Sequence, residues 1–124
     1  MVAKVLLVDD DAVSCTALRS FLEESGFEVR AVQDGPAAIE TVRTFVPDVL
    51  LSDWRLRGEG DARSVARRIH ALCPDVEIIF LTGFSAEEVR AQTVDVPVRS
   101  ILAKPATFPA VQQAIEDVLA GSKG

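Results

Sequence analysis

The sequence has no tyrosine, one tryptophan, one histidine, one methionine and two cysteines, and each scarcity removes a class of function. Cys15 and Cys73 stand apart, with no Cys-x-x-Cys pair and no neighbouring histidine, which argues against zinc sites and disulfide frameworks and leaves both as small reduced core residues. His70 lies among Arg67, Arg68 and Ala71 in a helical pattern and receives no catalytic role. The first apolar run, Val5 to Val8, is far too short for a signal peptide or a membrane span. Basic residues are outnumbered 13 to 19, and the net charge of −6 disfavours attraction to nucleic acid or anionic membrane. Repeats, low-complexity segments and linkers are missing too. The expectation is a cytoplasmic protein with no direct nucleic-acid or membrane partner.

What remains is an ordinary globular composition, 48% hydrophobic and 26% charged over 124 residues, enough for one core. Residues 1–124 are read as one domain, with 121–124 a frayed tail. Apolar runs rich in Val, Leu and Ile alternate with amphipathic stretches, which predicts an α/β fold: a doubly wound, five-stranded parallel sheet with five helices. The strands are expected at Lys4–Val8, Glu28–Val32, Val49–Ser52, Glu77–Leu81 and Arg99–Leu102. VLLV, VLLS and EIIFL are nearly continuous in apolar residues, as strands buried on both faces must be. The first helix, Ala12–Ser25, is expected to bury Val13, Ala17, Leu18, Phe21 and Leu22 and to stop at Gly26. A second is expected over Pro36–Phe45, before Pro47, and a third over Asp61–Leu72, burying Val65, Ile69 and Leu72. A short fourth follows Ser85 as N-cap, and a fifth spans Thr107–Leu119.

The stretch VLLVDDD poses the functional question, because three consecutive aspartates repel one another. Alternation of strands and helices places Asp9, Asp10, Asp53, Thr82 and Lys104 at or just beyond the carboxyl ends of four strands, the edge where open α/β sheets bind ligands. A divalent cation among Asp9, Asp10 and Asp53 would turn repulsion into attraction, and an all-oxygen ligand set suits Mg²⁺ or Mn²⁺. Asp11 is left to cap the first helix.

Four motifs at that edge, VDD after the first strand, LLSD ending the third, FLTG ending the fourth and AKP ending the fifth, give the chain its likeness to a family. It resembles the receiver domains of bacterial two-component response regulators over essentially its whole length. The resemblance implies the flavodoxin-like strand order 2-1-3-4-5 and a phosphorelay role without enzymatic turnover. By that implication Asp53 accepts a phosphoryl group from a histidine kinase or phosphotransfer protein, and Thr82 and Lys104 contact the phosphoryl oxygens. Mg²⁺ is then held by Asp10 directly, by Asp9 through water, by Asp53 and by the backbone carbonyl of Arg55. It further implies a cis Lys104–Pro105 bond, a downstream protein target, and a monomer or a phosphorylation-dependent dimer. No output domain is expected within the chain.

Departures from the family pattern bear on behaviour. Ile101 stands where the family usually has Tyr or Phe, which puts the usual switch in question. Arg57 replaces a frequent proline in a loop that continues RGEG and is expected to be mobile and basic. Val96, Pro97 and Val98 replace a glycine-alanine pair and should stiffen the link after the fourth helix, and Ala106 follows Lys104-Pro105 in place of Phe. Arg55 and Phe84 occupy the positions that in the family flank the path of the hydrolytic water, and the resemblance therefore implies slow dephosphorylation.

Rival readings meet specific obstacles. A haloacid-dehalogenase-type phosphatase needs a general-acid aspartate two residues after its nucleophile, where this chain has Arg55. A flavodoxin-like cofactor binder needs a phosphate loop after the first strand, and none follows. The alternative kept open is a degenerate receiver acting as a phosphorylation-independent interaction module.

Overall fold

A computed structural model of the chain describes residues 2–56 and 61–122. Five strands and five helices alternate: β1 (Lys4–Val8), α1 (Ala12–Glu24), β2 (Glu28–Val32), α2 (Gly35–Thr41), β3 (Val49–Asp53), α3 (Ala62–Leu72), β4 (Glu77–Thr82), α4 (Ala86–Gln92), β5 (Val98–Ala103) and α5 (Phe108–Ser122). The strands form one parallel sheet in the order β2-β1-β3-β4-β5, as expected.

Strand periodicity divides the core in two. Leu6, Val8, Leu50, Ile78 and Phe80 face α2, α3 and α4. Val5, Leu7, Val49, Leu51, Ile79 and Leu81 face α1 and α5. Because β1, β3 and β4 are covered on both faces, they carry the continuous apolar runs.

Helical geometry corrects several expectations. In α1 the buried stripe is Cys15, Leu18 and Leu22, with Phe21 packed beside it. Val13, roughly 200° around the helix from Cys15 at 3.6 residues per turn, is 80% exposed, and Ala17 is exposed as well. In α3 the stripe of Ala62, Val65, Ala66 and Ile69 continues four residues on to Cys73, so Leu72 points outward. α2 ends at Thr41, whose hydroxyl donates back to the Ala37 carbonyl at 2.8 Å, and tight turns follow in place of helix up to Phe45. Phe45 is buried nonetheless, with Lys4 and Arg30 over its ring.

Gly26 and Gly121 do different things. Gly26, at φ +102°, closes α1 in the left-handed conformation. Gly121 lies inside α5, which runs on to Ser122 where fraying was expected. A β-carbon at Gly121 would stand 2.8 Å from Arg99 Nη2, so glycine lets that guanidinium lie against the end of the helix. Arg99 is the extra residue of an irregularity in the β4–β5 pairing and also pairs with Glu77 at 3.2 Å. Residues 123–124 and the Arg57 loop, 57–60, lie outside the described residues. No described helix is long and apolar enough to cross a membrane.

Candidate functional site

The three aspartates of VLLVDDD have three different surroundings. The Asp9 amide extends the β1–β2 ladder by one bond, donating to the Val32 carbonyl at 3.0 Å, which holds the residue buried at the sheet edge. Its Oδ1 accepts from the Asp11 amide at 2.9 Å. Asp11 caps α1 as expected, its Oδ1 accepting from the amides of Val13 at 3.1 Å and Ser14 at 3.5 Å. Asp10, half-buried between them, joins Asp9 and Asp53 in a group whose carboxylate oxygens lie within 4.8 Å of one another.

Asp53 is the last residue of β3 and only 2% exposed. Pairing of Val8 with Ser52 puts Asp9 level with it one residue further on. The Lys104 ammonium stands 2.7 Å from Asp53 Oδ1; that buried oxygen has the ion pair but no hydrogen bond of good geometry. Lys104 is set by its own backbone, whose amide donates to the Thr82 carbonyl at 2.7 Å, and the Lys104–Pro105 peptide is cis. Thr82 ends β4, is 2% exposed, and accepts at Oγ1 from the Phe84 amide at 2.9 Å, leaving its own hydroxyl proton available.

Charge in this cluster is unbalanced. Burial foremost, and a hydrogen bond shared with Asp9, push the Asp53 carboxyl up to about 7 against the opposing pull of Lys104. A cation held among the three carboxylates would offset that crowding of negative charge. The donor set, three carboxylates with an under-bonded buried oxygen, therefore fits a hard divalent ion such as Mg²⁺. Cys15 lies nearby, but burial, reinforced by the charges of Asp9 and Asp53, raises its thiol to about 11 and keeps it protonated.

Two cavities meet at Lys104. One, of about 420 Å³, is floored by Asp9, Asp10 and Asp53; the other, of about 340 Å³, is lined by Arg55, Thr82, Gly83 and Phe84. A third, about 660 Å³, lies away from Asp9, Asp10 and Asp53, between α3 and α4. Arg55 and Phe84 are not independent. The guanidinium stacks over the Phe84 ring at 4.6 Å, a contact unforeseen in the sequence, although both lie two residues beyond aligned strand ends. Trp54 packs edge-on against Phe80, with ring centroids 5.1 Å apart, and is half-buried. Ile101 packs on the same core cluster. In the Val96–Val98 link the Val96 amide donates to the Thr93 carbonyl at 3.0 Å and the Val98 amide to the Val96 carbonyl at 2.8 Å.

A family model for the response regulator receiver domain matches residues 5–116, and the chain belongs to that family. It is 33% identical over 119 residues to the transcriptional regulatory protein ZraR of Salmonella typhimurium, covering 96% of this chain and 27% of that protein. The chain thus spans about a quarter of the length of that regulator. It is 32% identical over 122 residues to the chemotaxis protein CheY of Halobacterium salinarum, with 96% of this chain and 98% of that one aligned. Among solved structures it is similar to the receiver domain of a modulated diguanylate cyclase from Desulfovibrio desulfuricans, at 30% identity and TM-score 0.86 over 99% of this chain and 98% of the other. A CheY-like receiver from Methanospirillum hungatei, at 20% identity and TM-score 0.90 over 99% and 98% of the two chains, shares the fold.

Proposed function

We propose that this receiver domain is a working phosphoacceptor: Asp53 takes a phosphoryl group from a histidine kinase or phosphotransfer protein in the cytoplasm and passes the change to a downstream protein. The observation that carries this reading is the buried Asp53 carboxylate, with Lys104 at 2.7 Å and the oxygens of Asp9 and Asp10 within 4.8 Å. An Asp–Lys pair alone serves structure equally well. Two further carboxylates gathered on it raise the energy of the fold unless a cation is held there.

Asp9, Asp10 and Asp53, with the Arg55 backbone carbonyl, would hold Mg²⁺ or Mn²⁺, which when bound supplies positive charge to phosphoryl oxygens and keeps Asp53 ionised. A carboxylate oxygen of Asp53 attacks phosphorus in line; the bond from phosphorus to the donor imidazole nitrogen breaks, and the imidazole departs with the electron pair. Lys104 balances the anionic charge, and the Thr82 hydroxyl donates to a phosphoryl oxygen. Since Asp53 itself carries the product, the chain is a reactant and not a turnover enzyme.

Intact mass after incubation with acetyl phosphate and Mg²⁺ tests the reading. The wild type should gain one phosphoryl group, and Asp53→Asn none. Asp10→Asn should lose the Mg²⁺-induced change in Trp54 fluorescence. An unchanged wild-type mass, or equal labelling of Asp53→Asn, would overturn the phosphoacceptor and leave the phosphorylation-independent module.

A further inference from the structure

α4 is a weakly anchored helix. It has seven residues, and only Val89 is buried; so short a helix has little stability of its own. On its α3 side it borders the cavity of about 660 Å³, with Glu88, Ala91 and Gln92 along one wall, Arg63 on the other, and Trp54 and Phe84 at the end toward the acceptor. Among the described residues, side-chain packing does not fill that gap. Polar contacts cross it at the far end instead, where the Asp95 carboxylate, just past α4, meets two arginines of α3. Arg63 reaches it with both arms of its guanidinium, Nε to Oδ1 at 3.1 Å and Nη2 to Oδ2 at 2.8 Å. Arg67 adds Nη1 to Oδ2 at 2.8 Å.

Arg63 and Arg67 are four apart on one helix face, an arrangement that is unfavourable for like charges unless an anion lies between them. The two-armed contact has the planar match that makes guanidinium–carboxylate pairs both directional and strong for their exposure. The turn that presents Asp95 is itself held: the Thr93 hydroxyl donates to the Val89 carbonyl at 2.9 Å, and the Val96 amide to the Thr93 carbonyl. Pulling on Asp95 therefore pulls on α4.

We propose that Asp95, clasped by Arg63 and Arg67, is a latch that holds α4 against α3 across a partly empty interface, so that the loop leading from Thr82 into α4 moves only as far as the latch permits. The latch acts whether or not Asp53 accepts a phosphoryl group, and its test uses the unphosphorylated protein, so failure of one does not imply failure of the other.

Amide hydrogen exchange across residues 86–92 is the measurement. Asp95→Asn, which keeps the shape and removes the charge, should quicken exchange there by roughly tenfold or more, with β1 and β3 amides unchanged, because opening is local. Arg63→Ala should do the same, and Arg63→Lys, which keeps charge without the two-armed geometry, should fall between. Salt at about 1 M, where screening acts over roughly 3 Å, should loosen wild-type α4 and have little effect on Asp95→Asn. Unchanged exchange of 86–92 in both Asp95→Asn and Arg63→Ala, or equal quickening throughout the sheet, would overturn the latch.

Discussion

β3 and β5 pair with the same strand, β4, yet β3 is buried at all five of its positions and β5 at none. β3 is flanked by strands on both edges and by helices on both faces. β5 is an edge strand beside α4, with its one buried residue. Asp53 ends the buried strand, and Lys104, which faces it, follows the edge strand. The 2.7 Å ion pair between them thus joins the end of a fully buried strand to the end of an edge strand. Asp53 is placed by a core that tolerates little displacement, while Lys104 follows a strand with less packing to lose.

The largest effect that contrast predicts is in the core itself. Leu50 is fully buried and Ile101 only partly so, on the same side of the sheet. Leu50→Ala should cost about 3 kcal/mol, and Ile101→Ala about 1, as the buried area and the cavity left both shrink. Urea unfolding would measure both, and equal losses would show that β5 is as firmly held as β3.

Next in size is the pH dependence contributed by Asp53. An unfolded aspartate titrates near 3.8, whereas burial and Asp9 raise Asp53 to about 7. The fold therefore binds this proton more tightly than the unfolded chain. Its contribution to stability is full below pH 4 and is lost as pH rises to about 7. In metal-free protein at pH 8, Asp53→Asn should be more stable than wild type by on the order of 2 kcal/mol, with the difference vanishing toward pH 4. Mg²⁺ should narrow the gap by binding the wild type. Denaturant melts from pH 4 to 8 give the slope, and a stability that rises over that range because of Asp53 would contradict the raised pKa.

The contact between the loops that follow β3 and β4 sets the third expectation. Arg55 stacked on Phe84 lines a cavity with Thr82 and Lys104, and on the proposed function neither side chain is a carboxylate or amide that would orient a water for attack on phosphorylated Asp53. Arg55→Asn with Phe84→Glu should hasten loss of the phosphoryl group at least about tenfold, a barrier change of roughly 1.4 kcal/mol. The decay of phosphorylated mass after donor removal, at constant Mg²⁺, decides it; an equal or slower decay removes these positions from control of the lifetime.

The smallest effects compare two helix caps. Asp11→Ala should cost about 1 kcal/mol of global stability, because α1 is docked along its length. Ser85, whose hydroxyl accepts from the Glu88 amide at 3.2 Å, caps a helix that opens locally, so Ser85→Ala should change global stability by less than about 0.5 kcal/mol. Parallel urea melts would show the difference, and a larger loss for Ser85→Ala would make α4 part of the cooperative core.

Local order carries a long way in this chain. Unbroken apolar runs mark β1, β3 and β4 because only strands covered on both faces can be apolar throughout, and strand–helix alternation alone brings Asp9, Asp10, Asp53, Thr82 and Lys104 to one edge. Caps such as Asp11 and Ser85 are legible for the same reason: their partners lie two or three residues away. Faces of helices are less so. Val13 and Leu72 are apolar residues on outward faces, and composition does not say which side of a helix the sheet will cover. Contacts across the fold leave no local trace. Arg63 meets Asp95 over 32 residues, Arg99 lies against Gly121, and Arg55 stacks on Phe84 although the register alone would allow it to turn elsewhere. Periodicity and nearest neighbours thus suffice for which elements form and which edge gathers the acids. Which side chains pair across that edge, how far Asp53 is stripped of water, and what holds α4 in place depend on distances that exist only once the sheet has assembled and excluded solvent.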